Sequence, residues 1–130
     1  MQLKNDPIIA QATAVGKAGI GVVRISGNGL NPLLSLLSDK PIKPRVAILI
    51  QLRDDHHQTI DQGLLIFFPA PNSFTGEDVI EFHGHGGVLL MNLVIQRMIE
   101  LGKSLRLRMA KPGEFSERAF WNNKIDLAQA

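Results

Sequence analysis

The chain has 130 residues, of which 45% are hydrophobic and 20% are charged, and its formal net charge is +2. These values predict one globular domain with a single core, and the small positive charge does not by itself argue for a nucleic-acid partner. The absence of cysteine excludes disulfides, thiolate zinc sites and a cysteine nucleophile.

The sequence predicts no membrane partner. Its longest apolar runs, Val46–Ile50 and Leu64–Phe68, have five residues each, whereas a helix needs about 20 to span a bilayer. The N-terminus, MQLKNDPII, also lacks the long apolar segment of a signal peptide. We therefore expect a cytoplasmic protein.

Apolar periodicity predicts the α/β class, of the α+β kind, with a mixed sheet of about five to six short strands and about three helices. We predict strands at residues 7–13, 22–27, 45–52, 63–68, 78–83 and 105–109, and helices at 28–37, 88–101 and 114–122. The third and fourth strands flank a polar turn and should form a hairpin. Residues 105–109 alternate apolar and basic side chains, which predicts Arg106 and Arg108 on the outer face. A further helix should begin at Lys124.

A strand, a glycine turn and a helix N-terminus follow one another in residues 72–87, which read NSFTGEDVIEFHGHGG. Glycines let a ligand approach the backbone, and the unpaired N–H groups of a helix end attract anions. Glu81 places a carboxylate on the strand just before this turn. Arg24 interrupts another apolar strand, so either it faces solvent or it is held next to an anionic ligand. Both residues are candidates for a binding site.

Two further motifs bear on metal and nucleotide binding. Glu81, His83 and His85 are spaced by two and could form a metal site if the strand continued. Two glycines flank His85 and should break the strand, so we favour a histidine that hydrogen-bonds in a turn. Gly102-Lys103-Ser104 resembles the end of a P-loop, but Arg97 stands where its first glycine belongs, and the stretch closes a helix rather than opening one. We therefore predict that this chain does not bind GTP.

Four basic residues cluster late in the chain: Lys103, Arg106, Arg108 and Lys111. They could contact RNA phosphates, or they could form the solvated face of an edge strand, where positive charge prevents aggregation. Aromatic residues are not interleaved with them, so the stacking signature of single-strand binding is missing. An RNA-binding module that uses this basic edge strand is the alternative function.

Three long stretches resemble one protein family, and the match covers nearly the whole chain in the right order. They read ATAVGKAGIGVVRISG, PAPNSFTGEDVIEFHGHGG and KPGEFSERAFWNNKIDLAQA. They are similar to the N-terminal domain of the MnmE (TrmE) family of tRNA modification GTPases. The resemblance implies a fold similar to the tetrahydrofolate-binding domain of the glycine-cleavage T-protein class. It also implies a homodimer that binds 5-formyl- or 5,10-methylene-tetrahydrofolate as the one-carbon donor.

The resemblance further implies what the whole protein does. It would place a 5-carboxymethylaminomethyl-type modification on the wobble uridine of tRNA, together with the flavoprotein MnmG. Residues 1–120 would form the folate-binding and dimerisation domain, and residues 121–130 would begin a truncated helical domain. The GTP-binding domain, with its Mg²⁺ and K⁺, would lie beyond Ala130. This chain should therefore have no catalytic residue and no enzyme activity of its own.

The folate-contacting positions of the family fall on Arg24, Glu81 and Lys124, and all three residue types match. Glu81 also stands out from the residues alone, because a carboxylate on a rigid strand can accept the ring N–H and the exocyclic amino group of a pterin together. Arg24 and Lys124 are candidate partners for the polar and anionic parts of folate, in either assignment. His83 has no family-derived role, since other side chains occur at its position in some relatives.

Overall fold

The computed structural model describes residues 5–12 and 19–123. Its strands are β1 (Ile8–Gln11), β2 (Ile20–Gly27), β3 (Ile48–Arg53), β4 (Thr59–Phe68), β5 (Asp78–His85) and β6 (Arg108–Met109). Its α-helices are α1 (Asn31–Leu37), α2 (Val88–Leu101) and α3 (Glu114–Trp121), and a turn of 3-10 helix (Lys103–Leu105) follows α2. The predicted numbers of strands and helices are confirmed for these ranges.

The six strands form one sheet in the order β3-β4-β5-β2-β1-β6. Neighbouring strands run antiparallel, except that β1 and β6 run parallel. The sheet is therefore mixed, and the predicted α/β class is confirmed. The similarity to the T-protein class stays a prediction.

Strands β3 and β4 form the predicted hairpin, although β4 begins at Thr59, earlier than the apolar pattern indicates. The Oδ1 atom of Asp54 organises the turn, because it accepts hydrogen bonds from the amides of His56 (2.8 Å) and Gln58 (3.0 Å). Backbone pairing with β3 then continues through residues 59–62. This segment is polar, so periodicity alone does not mark it as strand.

Helices α1 and α2 cover one face of the sheet. The predicted bounds of α2 are confirmed, and its buried residues recur at helical spacing: Met91, Val94, Ile95 and Met98. Helix α1 begins at Asn31 rather than at residue 28, since Gly29 has a non-helical φ of 69°. Alternate residues of β2 and β5 enter the same core: Val23, Ile25, Ile80 and Phe82. The intervening positions 24 and 81 therefore face away from α1 and α2.

The predicted strand at residues 105–109 is wrong in its first half. Arg106 follows the 3-10 turn in a left-handed conformation with φ 67°. Leu107 then packs against Gly102, where an added Cβ would lie 2.7 Å from the leucine side chain, and only Arg108–Met109 pair with β1. The alternation thus reflects a tight turn rather than an extended strand. Arg108 also points inward, with 11% of its side chain exposed, so its predicted outer position is wrong.

Helix α3 lies close to its predicted bounds and ends at Trp121, one residue before the predicted end. Lys124 and the helix predicted to start there fall outside the described residues. Among the helices of the described ranges, none combines the length and the apolar character needed to cross a bilayer.

Candidate functional site

The antiparallel pairing of β2 with β5 places Arg24 directly opposite Glu81. The Oε2 atom of Glu81 accepts a hydrogen bond from Nε of the guanidinium group at 2.9 Å, and it forms an ion pair with Nη2 at 2.8 Å. The side chain of Arg24 is 31% exposed and that of Glu81 is 14% exposed. The structure thus brings together two of the three predicted site residues, on the face that α1 and α2 leave open. Lys124 lies outside the described residues.

His83 completes this group, because its Nε2 atom lies 2.8 Å from Glu81 Oε1. Burial opposes ionisation of Glu81, but hydrogen bonds from His83 and Arg24 outweigh it and lower the pKa of this carboxyl below its ordinary value. An ionised carboxylate only accepts, so Nε2 of His83 carries the proton and donates. We call these three residues the Arg24–Glu81–His83 cluster.

A groove of about 250 Å³ opens beside Arg24. It is lined by Ala10, Gln11, Ala12, Arg24, Phe74, Phe115 and Ser116. Among the described residues of this lining, Arg24 is the only ionised side chain, and its charge is balanced by Glu81. Two larger grooves, of about 580 and 500 Å³, lie beside α1, which covers the other face of the sheet. We place the candidate site at the smaller groove, because Arg24, which binds Glu81, lines it, whereas neither Arg24 nor Glu81 is among the described residues that line the two larger grooves.

The carboxylate of Glu81 has limited capacity for a further ligand in this arrangement. Its two oxygens offer about four lone-pair directions, of which Arg24 takes one at Oε2, with its Nη2 also 2.8 Å from that oxygen, and His83 takes one at Oε1. A ligand that donates to both oxygens must therefore share each oxygen with Arg24 or His83, or displace one of them. The sequence did not predict this competition.

His85 belongs to a second carboxylate–histidine pair. Strand β5 continues through Gly84 to His85, so the predicted break in the strand is wrong. The Nδ1 atom of His85 lies 2.7 Å from Asp61 Oδ1, and its amide donates to Asp61 Oδ2 at 3.0 Å. Gly84 makes room for this pair, because an added Cβ would lie 2.2 Å from Asp61 Oδ2.

The metal hypothesis is not supported where the structure can be described. Each histidine is taken up by a different carboxylate, His83 by Glu81 and His85 by Asp61. Across residues 5–12 and 19–123, no three histidine, aspartate or glutamate side chains are arranged to hold a metal ion.

Sequence reasoning missed a group of charged residues beneath helix α3. The side chains of its members are each at most 11% exposed: Asp6, Glu77, Arg108, Glu114 and Arg118. We call them the buried ion network. Of its pairs, only that of Glu114 and Arg118, at 3.2 Å, has a helical spacing that the sequence could have revealed. Arg108 and Glu114 are six positions apart, and the remaining pairs join distant parts of the chain.

Two arginines hold the network together. Arg108 donates to both oxygens of Glu114, from Nη1 at 2.8 Å and from Nη2 at 2.7 Å. Arg118 donates from Nη1 to Glu77 Oε1 at 3.1 Å and from Nη2 to the backbone carbonyl of Asp6. The hydrogen bonds from Arg108, which outweigh the effect of burial, lower the pKa of Glu114 to about 2. The network therefore ties α3 to β6, to the residues before β1 and to the loop before β5.

The four basic residues of the alternative RNA-binding hypothesis do not form one free surface. Lys103 and Lys111 are exposed. Arg106 lies 3.4 Å from Asp6, and Arg108 is bound to Glu114 within the network. Two of the four positive charges are thus already paired with carboxylates, which leaves less charge for a phosphate backbone.

Comparisons with known proteins agree on one family. The family model described as "GTP-binding protein TrmE N-terminus" matches residues 7–124. A tRNA modification GTPase MnmE of Polynucleobacter asymbioticus is 55% identical over the whole chain, which covers 28% of that protein. Proteins of the same name from Neisseria meningitidis and Nitrosomonas eutropha are 54% and 52% identical over 97% of the chain, and the chain covers 28% and 27% of them. The chain thus spans a little over a quarter of these relatives.

Proposed function

Because this chain belongs to the TrmE N-terminal family, we propose that it is the tetrahydrofolate-binding and homodimerising part of a GTPase that modifies the wobble uridine of tRNA. Residues 1–120 form the folate-binding domain in this proposal, and residues 121–130 begin a helical domain. The ligand is 5-formyl- or 5,10-methylene-tetrahydrofolate. GTP hydrolysis, with its Mg²⁺ and K⁺, belongs to the rest of the protein.

The observation that carries this proposal is the Arg24–Glu81 pair at the open groove. Strand register holds the carboxylate in place, and its lowered pKa keeps it ionised at neutral pH. An ionised carboxylate on a rigid element suits the paired N–H and amino donors of a pterin ring. The relatives named as tRNA modification GTPases support the larger assignment.

In this proposal the ligand binds by replacing one of the hydrogen-bond partners of Glu81. The pterin donors take Oε1 in place of His83, while Arg24 stays on Oε2 and keeps the carboxylate ionised. Arg24 then turns its remaining N–H groups toward acceptors on the ring. Lys124 is proposed as the charge partner of the glutamate tail, because the charge of Arg24 is already balanced by Glu81.

Bound folate supplies the one-carbon unit in this proposal. The side chains at the groove hold and orient the cofactor, and the transfer to tRNA takes place in the assembly with the flavoprotein MnmG. The groove is lined by one arginine, two phenylalanines and small or polar residues. Its role in this proposal is therefore to position the cofactor rather than to attack it.

Replacement of Glu81 by glutamine tests the proposal, because it keeps the shape of the side chain but turns one acceptor into a donor. A hydrogen bond to a charged group contributes roughly 1.5–3 kcal/mol, so 5-formyltetrahydrofolate should bind about tenfold to a hundredfold more weakly in a calorimetric titration. Asp61→Asn is the matched control, since it alters the other carboxylate–histidine pair and should leave the affinity unchanged. An unchanged dissociation constant for Glu81→Gln, with a lower melting temperature, would show a structural role and contradict the assignment.

Homodimerisation is tested by light scattering of the chain at tens of micromolar. We expect a mass of twice the 14.3 kDa of the chain. A single species at 14.3 kDa would overturn this part of the proposal without affecting the folate site.

A further inference from the structure

Phe74 stands at the edge of the candidate groove with 47% of its surface exposed. Single exposed apolar residues are common on proteins, so this exposure alone has no meaning. The loop around Phe74 is fixed on both sides, however. Ser73 donates its hydroxyl to the carbonyl of Glu77 and accepts from the amide of Gly76, while Thr75 is fully buried against Ser26. Phe74 is thus presented to solvent by a rigid loop.

The ring of Phe74 is joined to the Arg24–Glu81 pair. The Cζ atom of Arg24 lies over this ring, 5.9 Å from its centroid, within the range of a cation–π contact. The edge of the same guanidinium group binds Glu81. Arg24 therefore connects the ring of Phe74, with which it lines the groove, to the carboxylate of Glu81 behind it.

The size and charge of the groove limit what it can hold. Its volume of about 250 Å³ is below the roughly 300–1,000 Å³ of pockets that enclose drug-sized ligands. Arg24, the one cation among the described residues of the lining, is paired with Glu81, and a second aromatic residue, Phe115, lines the groove. These properties fit a single uncharged ring with a polar edge.

Building on the proposed function, we infer that Phe74 is the stacking wall for the pterin ring. The ring lies against Phe74 and turns its donors toward Glu81, while the glutamate tail leaves the groove. Phe74 then determines specificity for a flat heteroaromatic ring. Its contact is with the ligand itself, in addition to its contact with Arg24.

The test uses two probes on the 130-residue chain, 5-formyltetrahydrofolate and 6-methyltetrahydropterin, which lacks the benzoylglutamate tail. Phe74→Leu keeps an apolar side chain but removes the aromatic face, and it should weaken binding of both probes about five- to tenfold. Phe74→Tyr should restore affinity to within about twofold. Phe120→Leu is the matched control, since Phe120 is 38% exposed and does not line the groove. Its affinity should equal that of the original chain.

A double-mutant cycle with Arg24→Ala separates direct stacking from an effect through the arginine. If Phe74 stacks on the ligand, Phe74→Leu should weaken folate binding by a similar factor whether or not Arg24 is present. If Phe74→Leu did not weaken folate binding in the Arg24→Ala background, the inference would be overturned. It would also be overturned if Phe74→Leu alone bound folate with full affinity. If the unaltered chain binds neither probe, the proposed function and this inference both fail. Binding that is insensitive to Phe74 leaves the proposed function intact and removes only the inference.

Discussion

The Arg24–Glu81–His83 cluster and the buried ion network both involve strand β2, at positions two residues apart. Arg24 belongs to the cluster, and Ser26 contacts Glu77 of the network. The side chains of Arg24 and His83 are each 31% exposed, and a groove opens beside them. Ser26 is fully buried, and it donates its hydroxyl to Glu77 at 2.8 Å. The two regions use the same arginine–carboxylate chemistry, but the network is more deeply buried, since the side chain of Arg118 is 6% exposed and that of Arg24 is 31% exposed.

This difference in burial predicts a difference in energetic role. Ion pairs that water reaches contribute about 0–1 kcal/mol to stability, because solvent screens the charges and competes for the hydrogen bonds. Removal of one partner from a buried pair costs about 3–5 kcal/mol, because the other charge is left unpaired away from water. We therefore expect the network to contribute strongly to folding stability. The side chains of the cluster, in contrast, can exchange hydrogen-bond partners with little loss of stability.

The largest expected effect comes from Arg118→Met, which removes the guanidinium group between Glu77, Glu114 and the carbonyl of Asp6. We expect the free energy of unfolding to fall by about 3–5 kcal/mol, as measured by urea denaturation. Glu117→Gln, on an exposed position of the same helix, is the control and should stay within about 0.5 kcal/mol. A loss below about 1 kcal/mol for Arg118→Met would remove the distinction between the two regions.

The second-largest expected effect is a loss of folding stability at acidic pH. The pKa of Glu114 is about 2 in the folded chain and 4.5 ordinarily, so the stability that its ionised form contributes is complete above about pH 4.5. It is lost as the pH falls from about 4.5 toward 2, because the unfolded chain takes up the proton first. The shift corresponds to about 3 kcal/mol.

Urea denaturation at a series of pH values from about 6 to 2.5 measures this effect. Glu114→Gln should be less stable at neutral pH and should lose less stability in acid. In the variant, the free energy of unfolding should still fall somewhat in acid because of Glu81, whose pKa is also lowered. If the free energy of unfolding fell equally steeply with pH in the variant and in the unaltered chain, Glu114 would not be the cause of the acid sensitivity.

The variants Ser26→Ala and Arg24→Met compare the two regions most directly. Ser26→Ala removes a hydrogen bond to a buried carboxylate and should lower the free energy of unfolding by about 1.5–3 kcal/mol. Arg24→Met removes a larger, charged group but leaves Glu81 bound to His83 near water, so its cost should stay at about 1 kcal/mol or less. Thermal and urea unfolding of both variants provide the measurement. A larger loss for Arg24→Met would reverse the roles assigned to the two regions.

Local patterns in the sequence determined much of the fold. The bounds of α2 follow from apolar residues at helical spacing, and the hairpin of β3 and β4 follows from two apolar runs around a polar turn. Arg24 could be selected because it interrupts an apolar strand, and Glu81 because it places a carboxylate within a strand just before a glycine turn. Where a local pattern has two structural causes, it misleads, as at residues 105–109, where a turn produced the alternation of a strand.

Only the tertiary structure decided which charges meet and how far water reaches them. Arg24 and Glu81 are 57 positions apart, and Arg118 and Glu77 are 41 apart. Strand register sets the first pair, and the packing of α3 sets the second. The sequence by itself therefore determined the elements and the residue types of the site, because periodicity is a local property of the chain. Which carboxylate each arginine binds, how deeply Arg108 is buried and how far Phe74 is exposed depend on contacts between distant segments, which local spacing does not encode.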